Sequence, residues 1–135
     1  GVAPLDALPD LLPGADVVVV LVPMTDVTRG LVDAGFLARM RDGALLVNVA
    51  RGPVVDTDAL LAELEAGRLC AALDVTDPEP LPPGHPLWSC PNVLVSPHVG
   101  GNSTAFLPRA ERLVAEQLRR YVAGQPLLNV VTADT

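Results

Sequence analysis

A chain of 135 residues is the usual size of one domain and is long enough to bury a core. Half of the residues are hydrophobic, only 19% are charged and the mean hydropathy is +0.39, which excludes a disordered chain and fits a globular one with heavily buried strands. The net charge of −7 and the absence of lysine exclude the basic face that nucleic-acid binding depends on, so no nucleic-acid partner is expected.

The chain starts on Gly1 and runs directly into Pro4-Leu5-Asp6-Ala7-Leu8-Pro9, as though its beginning lay elsewhere, and a fragment is the expectation. Ala15 to Val22 reads as a first strand, a valine-rich run without polar alternation, as expected where both faces of a parallel sheet are covered. Val17 to Pro23 is the longest apolar stretch and falls far short of the roughly 20 residues of a membrane helix. No charged-then-apolar start resembles a signal peptide, so neither a membrane nor an export route is expected and a cytoplasmic location is the default.

Asp33 to Met40 is predicted as a short helix, with Asp33 as N-cap, Phe36, Leu37 and Met40 on one face, and Gly43 as punctuation. Ala44 to Asn48 is the second strand, and Arg51-Gly52-Pro53 its exit loop. A helix follows from Asp56 to Ala66, capped by Asp56 or Thr57, striped by Leu60, Leu61 and Leu64, and ended by Gly67. Leu69 to Leu73 is the third strand, with Cys70 inside it as a small apolar residue; Cys70 and Cys90 are too few for a disulfide framework and lack metal-type spacing.

Asp74 to Ser89 is long and proline-rich, so it is expected on the surface in a stiff, extended form, with the single tryptophan, Trp88, anchoring it to the body of the domain. Loops of this length are uncommon unless functional. Val93 to Ser96 is the fourth strand. A final helix from Leu107 to Val122 carries Leu107, Ala110, Leu113, Val114, Leu118 and Tyr121 at three- and four-residue spacings and ends at Gly124. The tail from Gln125 to Thr135 contains the run Leu127 to Val131, which could add a strand to something outside the chain.

This alternation of strand and helix is the pattern of a parallel α/β sheet, in which ligands bind outside the carboxyl ends of the strands. All four strand exits carry unusual residues: Pro23-Met24-Thr25, Arg51-Gly52, Asp74 and Pro97-His98. An arginine can hold a carboxylate through two parallel hydrogen bonds, and an imidazolium can donate a proton to a carbonyl oxygen as hydride reaches its carbon. A carboxylate such as Glu79 beside the imidazole would orient it and favour its charged form.

Taken singly, each residue has a plainer reading. Arg51 could be a surface arginine, Glu79 a solvated loop acid, and His98 a histidine that closes a strand end against backbone. Asp74 could cap a turn or accept a hydrogen bond from an amide such as a carboxamide. His85, the other histidine, is expected to be structural or solvent-facing.

Together, Pro23…Thr28, Asn48-Val49-Ala50-Arg51-Gly52, Asp56…Ala59-Leu60, Ala72-Leu73-Asp74-Val75, Glu79-Pro80 and Asn92…Ser96-Pro97-His98 resemble the D-isomer-specific 2-hydroxyacid dehydrogenases, over nearly all of the chain from Ala15 to Val131. The resemblance implies NAD- or NADP-linked interconversion of a small 2-hydroxy acid and a 2-keto acid, with no metal and with a homodimer as the assembly. It implies that Arg51 binds the substrate, His98 is the acid/base and Glu79 pairs with His98. For the cofactor it implies Pro23 and Thr28, the backbone at Val49 and Ala50, then Arg51, Asp74, His98, and Gly100-Gly101 beside the nicotinamide ring.

These enzymes carry a Gly-x-Gly-x-x-Gly turn and a ribose selector, and this chain has neither. The expected fold is therefore the second half of a Rossmann-like doubly wound parallel sheet, with about four strands and flanking helices but without the glycine-rich half. Residues 1–105 are assigned to that half-domain, and 106–135 to a final helix and tail that return to a substrate domain largely absent from the chain. On its own the chain is expected to be inactive.

Two further departures bear on substrate choice and interdomain contacts: Thr76 replaces an aromatic, and Asn102-Ser103-Thr104-Ala105 lacks an acid. Glu79-Pro80 disfavours the formate-dehydrogenase branch, which resembles this one but carries glutamine as the histidine's partner. The competing function is an NAD(H)-sensing regulatory protein similar to the C-terminal-binding corepressors. A third expectation is that half a sheet exposes an apolar edge at Val17 to Leu21 that drives pairing or aggregation.

Overall fold

A computed structural model describes residues 1–131 and divides into two compact units, Gly1–Val99 and a second that begins at Gly100. The first unit holds one sheet of four parallel strands in sequential order, β1 (Val17–Val20), β2 (Leu45–Asn48), β3 (Cys70–Leu73) and β4 (Val93–Val95). It also holds three helices, α1 (Leu8–Leu11), α2 (Ala34–Arg39) and α3 (Thr57–Glu65). All three pairings are in register, so Val19, Val47, Ala72 and Leu94 lie side by side across one face.

The predicted strands and helices all form, each strand trimmed at its ends to the residues that pair. Asp33 caps α2 by accepting the Phe36 N–H at 2.8 Å, and Asp56 caps α3 by accepting the Ala59 N–H at 3.0 Å. Gly43 and Gly67 adopt positive φ, 78° and 67°, where the chain turns back into β2 and β3. The segment from Leu5 to Gly14, for which no element was predicted, is helical, as α1 between two 3-10 turns. Pro9 and Pro13 stand in the first two positions of their turns, where a missing N–H leaves no bond unmade.

The core lies on one face of the sheet only. Leu37 of α2, Leu60 and Leu64 of α3, and Leu46, Ala71 and Leu73 of the strands pack there with Val32, Val54 and Leu69, almost without solvent contact. Each fully buried leucine contributes about 2 kcal/mol of transfer free energy. The opposite face corrects the expectation that both are covered, since Val17, Val19 and Leu94 are 51%, 50% and 68% exposed. A valine-rich strand is also what a face awaiting a cover looks like, so composition alone does not separate the two cases.

The proline-rich connection between β3 and β4 is less extended than expected. Val75, Thr76, Leu81 and Leu87 are buried, and Pro86–Ser89 forms a 3-10 turn in which His85 Nδ1 accepts the Leu87 N–H. His85 is therefore structural. Trp88 does not anchor the loop: it is 54% exposed and its indole N–H donates to Pro82 O at 3.1 Å, within the loop itself. Leu81 and Leu87, buried in the core cluster, supply the anchor instead.

The amino end of the sheet is tied by two side chains. Arg68 donates to Glu63 Oε2 at 2.5 Å and to the carbonyls of Leu37 and Met40 at 2.6 and 2.7 Å, which joins the carboxyl ends of α2 and α3. The guanidinium holds the Glu63 carboxyl below its ordinary value through hydrogen bond and charge, and Glu63 in turn raises Arg68. Asn92 donates to the carbonyls of Leu64 and Leu69 at 3.0 and 2.7 Å just before β4 begins.

The second unit is α4 (Phe106–Val122), one residue longer than predicted, followed by the tail. None of the α4 residues is buried, and Leu107, Leu113, Val114, Leu118 and Tyr121 are exposed. Leu127 to Val131, the run expected to be able to add a strand to something outside the chain, pairs with no strand of this sheet and is held by α4. Gln117 takes both backbone groups of Leu128, donating to its carbonyl at 2.6 Å and accepting its N–H at 2.9 Å, and Asn129 turns the chain with φ of 53°. The remainder of the tail, residues 132–135, lies outside the described residues. No helix among the described residues is long and apolar enough to cross a membrane.

Candidate active site

Because all four strands run parallel, their carboxyl ends open on one side of the sheet, and the residues singled out between Pro23 and His98 lie on the loops that leave those ends. At the exit of β1, the Thr28 hydroxyl donates to Pro23 O at 2.7 Å and accepts the Thr25 N–H at 2.8 Å. That turn is organised by its own hydrogen bonds.

At the exit of β2, Asn48 is 1% exposed and uses both ends of its amide. Its Oδ1 accepts the Ala50 N–H and its Nδ2 donates to Arg51 O, both at 3.1 Å. The backbone of Val49, Ala50 and Arg51 is thus fixed from below by a buried polar side chain whose partners are satisfied. The Arg51 side chain is exposed, with its guanidinium donating to Ala50 O at 2.6 Å.

Gly52 is required where it stands. A Cβ there would lie 1.9 Å from Thr76 O and 2.8 Å from Asp77 N, so only glycine lets the β2 exit loop rest against the β3 exit loop. That second loop is held by the Thr57 hydroxyl, donating to Asp77 O at 2.8 Å, and by the Thr76 hydroxyl, donating to Pro78 O at 2.9 Å. Thr76, noted in the sequence as a departure, is thereby a buried bracket for the segment that carries Glu79.

Beyond β4, His98 Nδ1 lies 2.6 Å from Glu79 Oε1. The two side chains are 46% and 40% exposed, so this ion pair adds little to stability. What it does fix is the ring: with Nδ1 committed to the carboxylate, Nε2 is left to exchange a proton with a reactant. His98 has φ of 55°, a left-handed conformation that costs a non-glycine residue about 1–3 kcal/mol and is often found at functional sites. A cavity of about 160 Å³ adjoins the pair, lined by Asp74, Glu79, Leu81, Trp88, Pro97 and His98.

The structure therefore joins Glu79 to His98, and sets Arg51 apart from them. No hydrogen bond links Arg51 to either among the described residues, and β3 stands between the strands that carry Arg51 and His98. Two strand spacings put their exits about 10 Å apart. Asp74, at the end of β3 between them, accepts the Ser96 hydroxyl at 2.5 Å and the Val99 N–H at 2.9 Å on one carboxylate oxygen. Gly100 and Gly101 open the second unit. The supporting side chains Asn48, Thr57, Thr76 and Ser96 were not identified from sequence as site residues. Only the position of Asn48 and Ser96 at strand ends hinted at them.

The chain matches the family model "D-isomer specific 2-hydroxyacid dehydrogenase, NAD binding domain" over residues 1–100. A glyoxylate reductase of Thermofilum pendens is 41% identical over 119 residues, covering 87% of this chain and 35% of the relative; an uncharacterised protein of Corynebacterium melassecola is 42% identical over 118 residues, covering 87% and 39%. Among solved structures, a D-isomer specific 2-hydroxyacid dehydrogenase from Xanthobacter autotrophicus Py2, in complex with NADPH and MES, is 50% identical with a TM-score of 0.84, covering 95% of this chain and 52% of that one. The chain thus spans between about a third and half the length of these relatives. A satisfied polar frame under four parallel strand exits, the Glu79–His98 pair and these likenesses agree: the chain belongs to the family of D-isomer specific 2-hydroxyacid dehydrogenases, to the NAD binding domain.

Proposed function

We propose that the protein containing this chain reduces a small 2-keto acid to the D-2-hydroxy acid, and catalyses the reverse, at a site whose catalytic groups are Arg51, Glu79 and His98. The observation that carries this reading is the 2.6 Å contact of His98 Nδ1 with Glu79 Oε1 at the carboxyl end of a parallel sheet. A bound nicotinamide supplies or takes up the hydride.

His98 gives the proton. As the carbonyl carbon gains hydride and its oxygen gains negative charge, Nε2–H transfers its proton to that oxygen, and Glu79 stabilises the ring while it is charged. In oxidation His98 takes the proton back from the hydroxyl. Arg51, exposed at the end of a stapled backbone, binds the substrate carboxylate through its planar fork and so aligns the carbonyl with Nε2.

The remaining residues fit half of a cofactor cradle. Pro23 and Thr28 form a preordered turn at the exit of β1, Val49 and Ala50 present fixed backbone, and Asp74 is the residue assigned to the carboxamide by the family resemblance. Gly100 and Gly101 add a backbone stretch without side chains. The cofactor is NAD or NADP, and the glycine-rich turn that binds its pyrophosphate is not in this sequence. On this reading residues 1–105 are the second half of the cofactor domain, 106–135 lead back to a substrate domain, and the chain by itself is inactive.

The test is oxidation of NADH and NADPH by the intact protein with glyoxylate, hydroxypyruvate and pyruvate, followed by absorbance of the reduced nicotinamide. Turnover dependent on at least one of these acids is expected. Nicotinamide binding with no turnover on any small 2-keto acid would overturn the reading in favour of a nicotinamide-sensing protein.

A further inference from the structure

We infer that Asp74 and Ser96 are positioning residues that clamp His98 in its working pose. The inference rests on the reaction proposed above. His98 and Asn129 are the non-glycine residues of positive φ among those described, so the His98 conformation must be imposed by its surroundings.

Two of the bonds around it converge on one atom. Asp74 Oδ1 accepts the Ser96 hydroxyl at 2.5 Å from the residue two before His98, and the Val99 N–H at 2.9 Å from the residue after it. A single carboxylate oxygen thus closes a ring around Pro97 and His98. Ser96 is itself held, since its N–H donates to Leu73 O at 2.8 Å and extends the β3 ladder one residue past β4. The His98 N–H completes the ring by donating to Ser96 O at 3.0 Å.

Relaxation of His98 to negative φ would turn the Val99 N–H away from Asp74 and swing Nδ1 off Glu79. The anchor is suitable because it stands at the end of β3, a strand paired on both sides, and because a charged acceptor makes both bonds stronger than a neutral one would. Ser96, in this account, does not touch a reactant. It acts through Asp74 on the direction of the imidazole.

The test uses the intact protein with Ser96→Ala and Ser96→Thr, read in two ways. For Ser96→Ala, kcat for reduction is expected to fall about tenfold, with KM for the keto acid changed no more than about twofold, because the lost bond orients the acid and does not bind substrate. Ser96→Thr keeps the hydroxyl and is expected to restore most of kcat. The second reading is the ¹⁵N-resolved Nδ1–H resonance of His98, sharp and slowly exchanging in the parent and broadened or lost in Ser96→Ala. That resonance reports the pose whether or not any keto acid is turned over, so it separates failure of the clamp from failure of the proposed reaction. An unaltered resonance together with full kcat in Ser96→Ala would overturn the inference. A loss of kcat that Ser96→Thr does not recover, with the resonance unchanged, would overturn it as well.

Discussion

The two ends of the sheet are built from the same elements and are put to opposite uses. At the amino end, Arg68 and Asn92 spend their hydrogen bonds on the carbonyls of α2, α3 and the start of β3, which closes the core. At the carboxyl end, Asn48, Thr57, Thr76 and Asp74 spend theirs on loops, and these loops present Arg51, Glu79 and His98 to solvent. Side-chain hydrogen bonds to backbone tie elements of the core together at one end and hold loops at the other. If the proposed site is correct, function and stability should separate along the strand axis.

The strongest attempt to break that separation is His98→Gln in the intact protein. Turnover is expected to fall by about a thousandfold or more, as loss of a general acid does, while the melting midpoint stays within a few degrees because the side chain is half exposed. A large drop in the midpoint would show that the carboxyl end also carries stability.

Arg51→Ala comes next. The keto-acid KM is expected to rise about a hundredfold with kcat less affected, from the loss of a bidentate carboxylate contact. An unchanged KM would remove Arg51 from the site and leave the Glu79–His98 pair alone at that end.

At the amino end the signs reverse. Arg68→Ala removes donors to three acceptors and is expected to cost about 2–3 kcal/mol in chemical denaturation, with activity per folded molecule unchanged. Loss of specific activity without loss of stability would contradict the division.

Glu63→Gln gives the smallest effect and a pH signature. The folded Glu63 carboxyl titrates below its ordinary value of 4.5, so its contribution is fully present above that value and is lost as pH falls through the lowered folded one. Stability curves of parent and variant should therefore be fully separated, by about 1 kcal/mol, above the ordinary value and converge as pH falls through the lowered folded one. A constant gap down to the lowest pH would argue against the Arg68–Glu63 bond as the source.

Much of this organisation was legible in the sequence because it depends on local signals. Asp33 and Asp56 before apolar periodicity, with Gly43 and Gly67 after it, marked α2 and α3 to within a residue or two. The motifs at Arg51, Glu79 and His98 stood out because strand ends are where such residue types do chemistry. What was not legible is longer-range.

Nothing near Thr57 says that its hydroxyl meets Asp77, and nothing near Ser96 says that it meets Asp74, because parallel crossovers bring together residues about 20 apart in sequence. Trp88 misled for a different reason. Size argued for burial, yet its indole N–H found a partner in its own loop while Leu81 and Leu87 joined the core. The apolar run Leu127 to Val131 pointed to a strand for something outside the chain and said nothing of the Gln117 amide that holds the Leu128 backbone within it.

The most direct measurement follows the hydride itself. The intact protein would be given NADH deuterated at the transferable position of the nicotinamide together with whichever of glyoxylate, hydroxypyruvate and pyruvate it turns over, and the product examined by NMR and chiral analysis. The expected result is the 2-hydroxy acid with one deuterium at C2, of D configuration where C2 is a stereocentre, formed in step with cofactor oxidation and lost in His98→Gln. Cofactor oxidised without deuterium in the product of any 2-keto acid tried, or label transfer undiminished in His98→Gln, would contradict it.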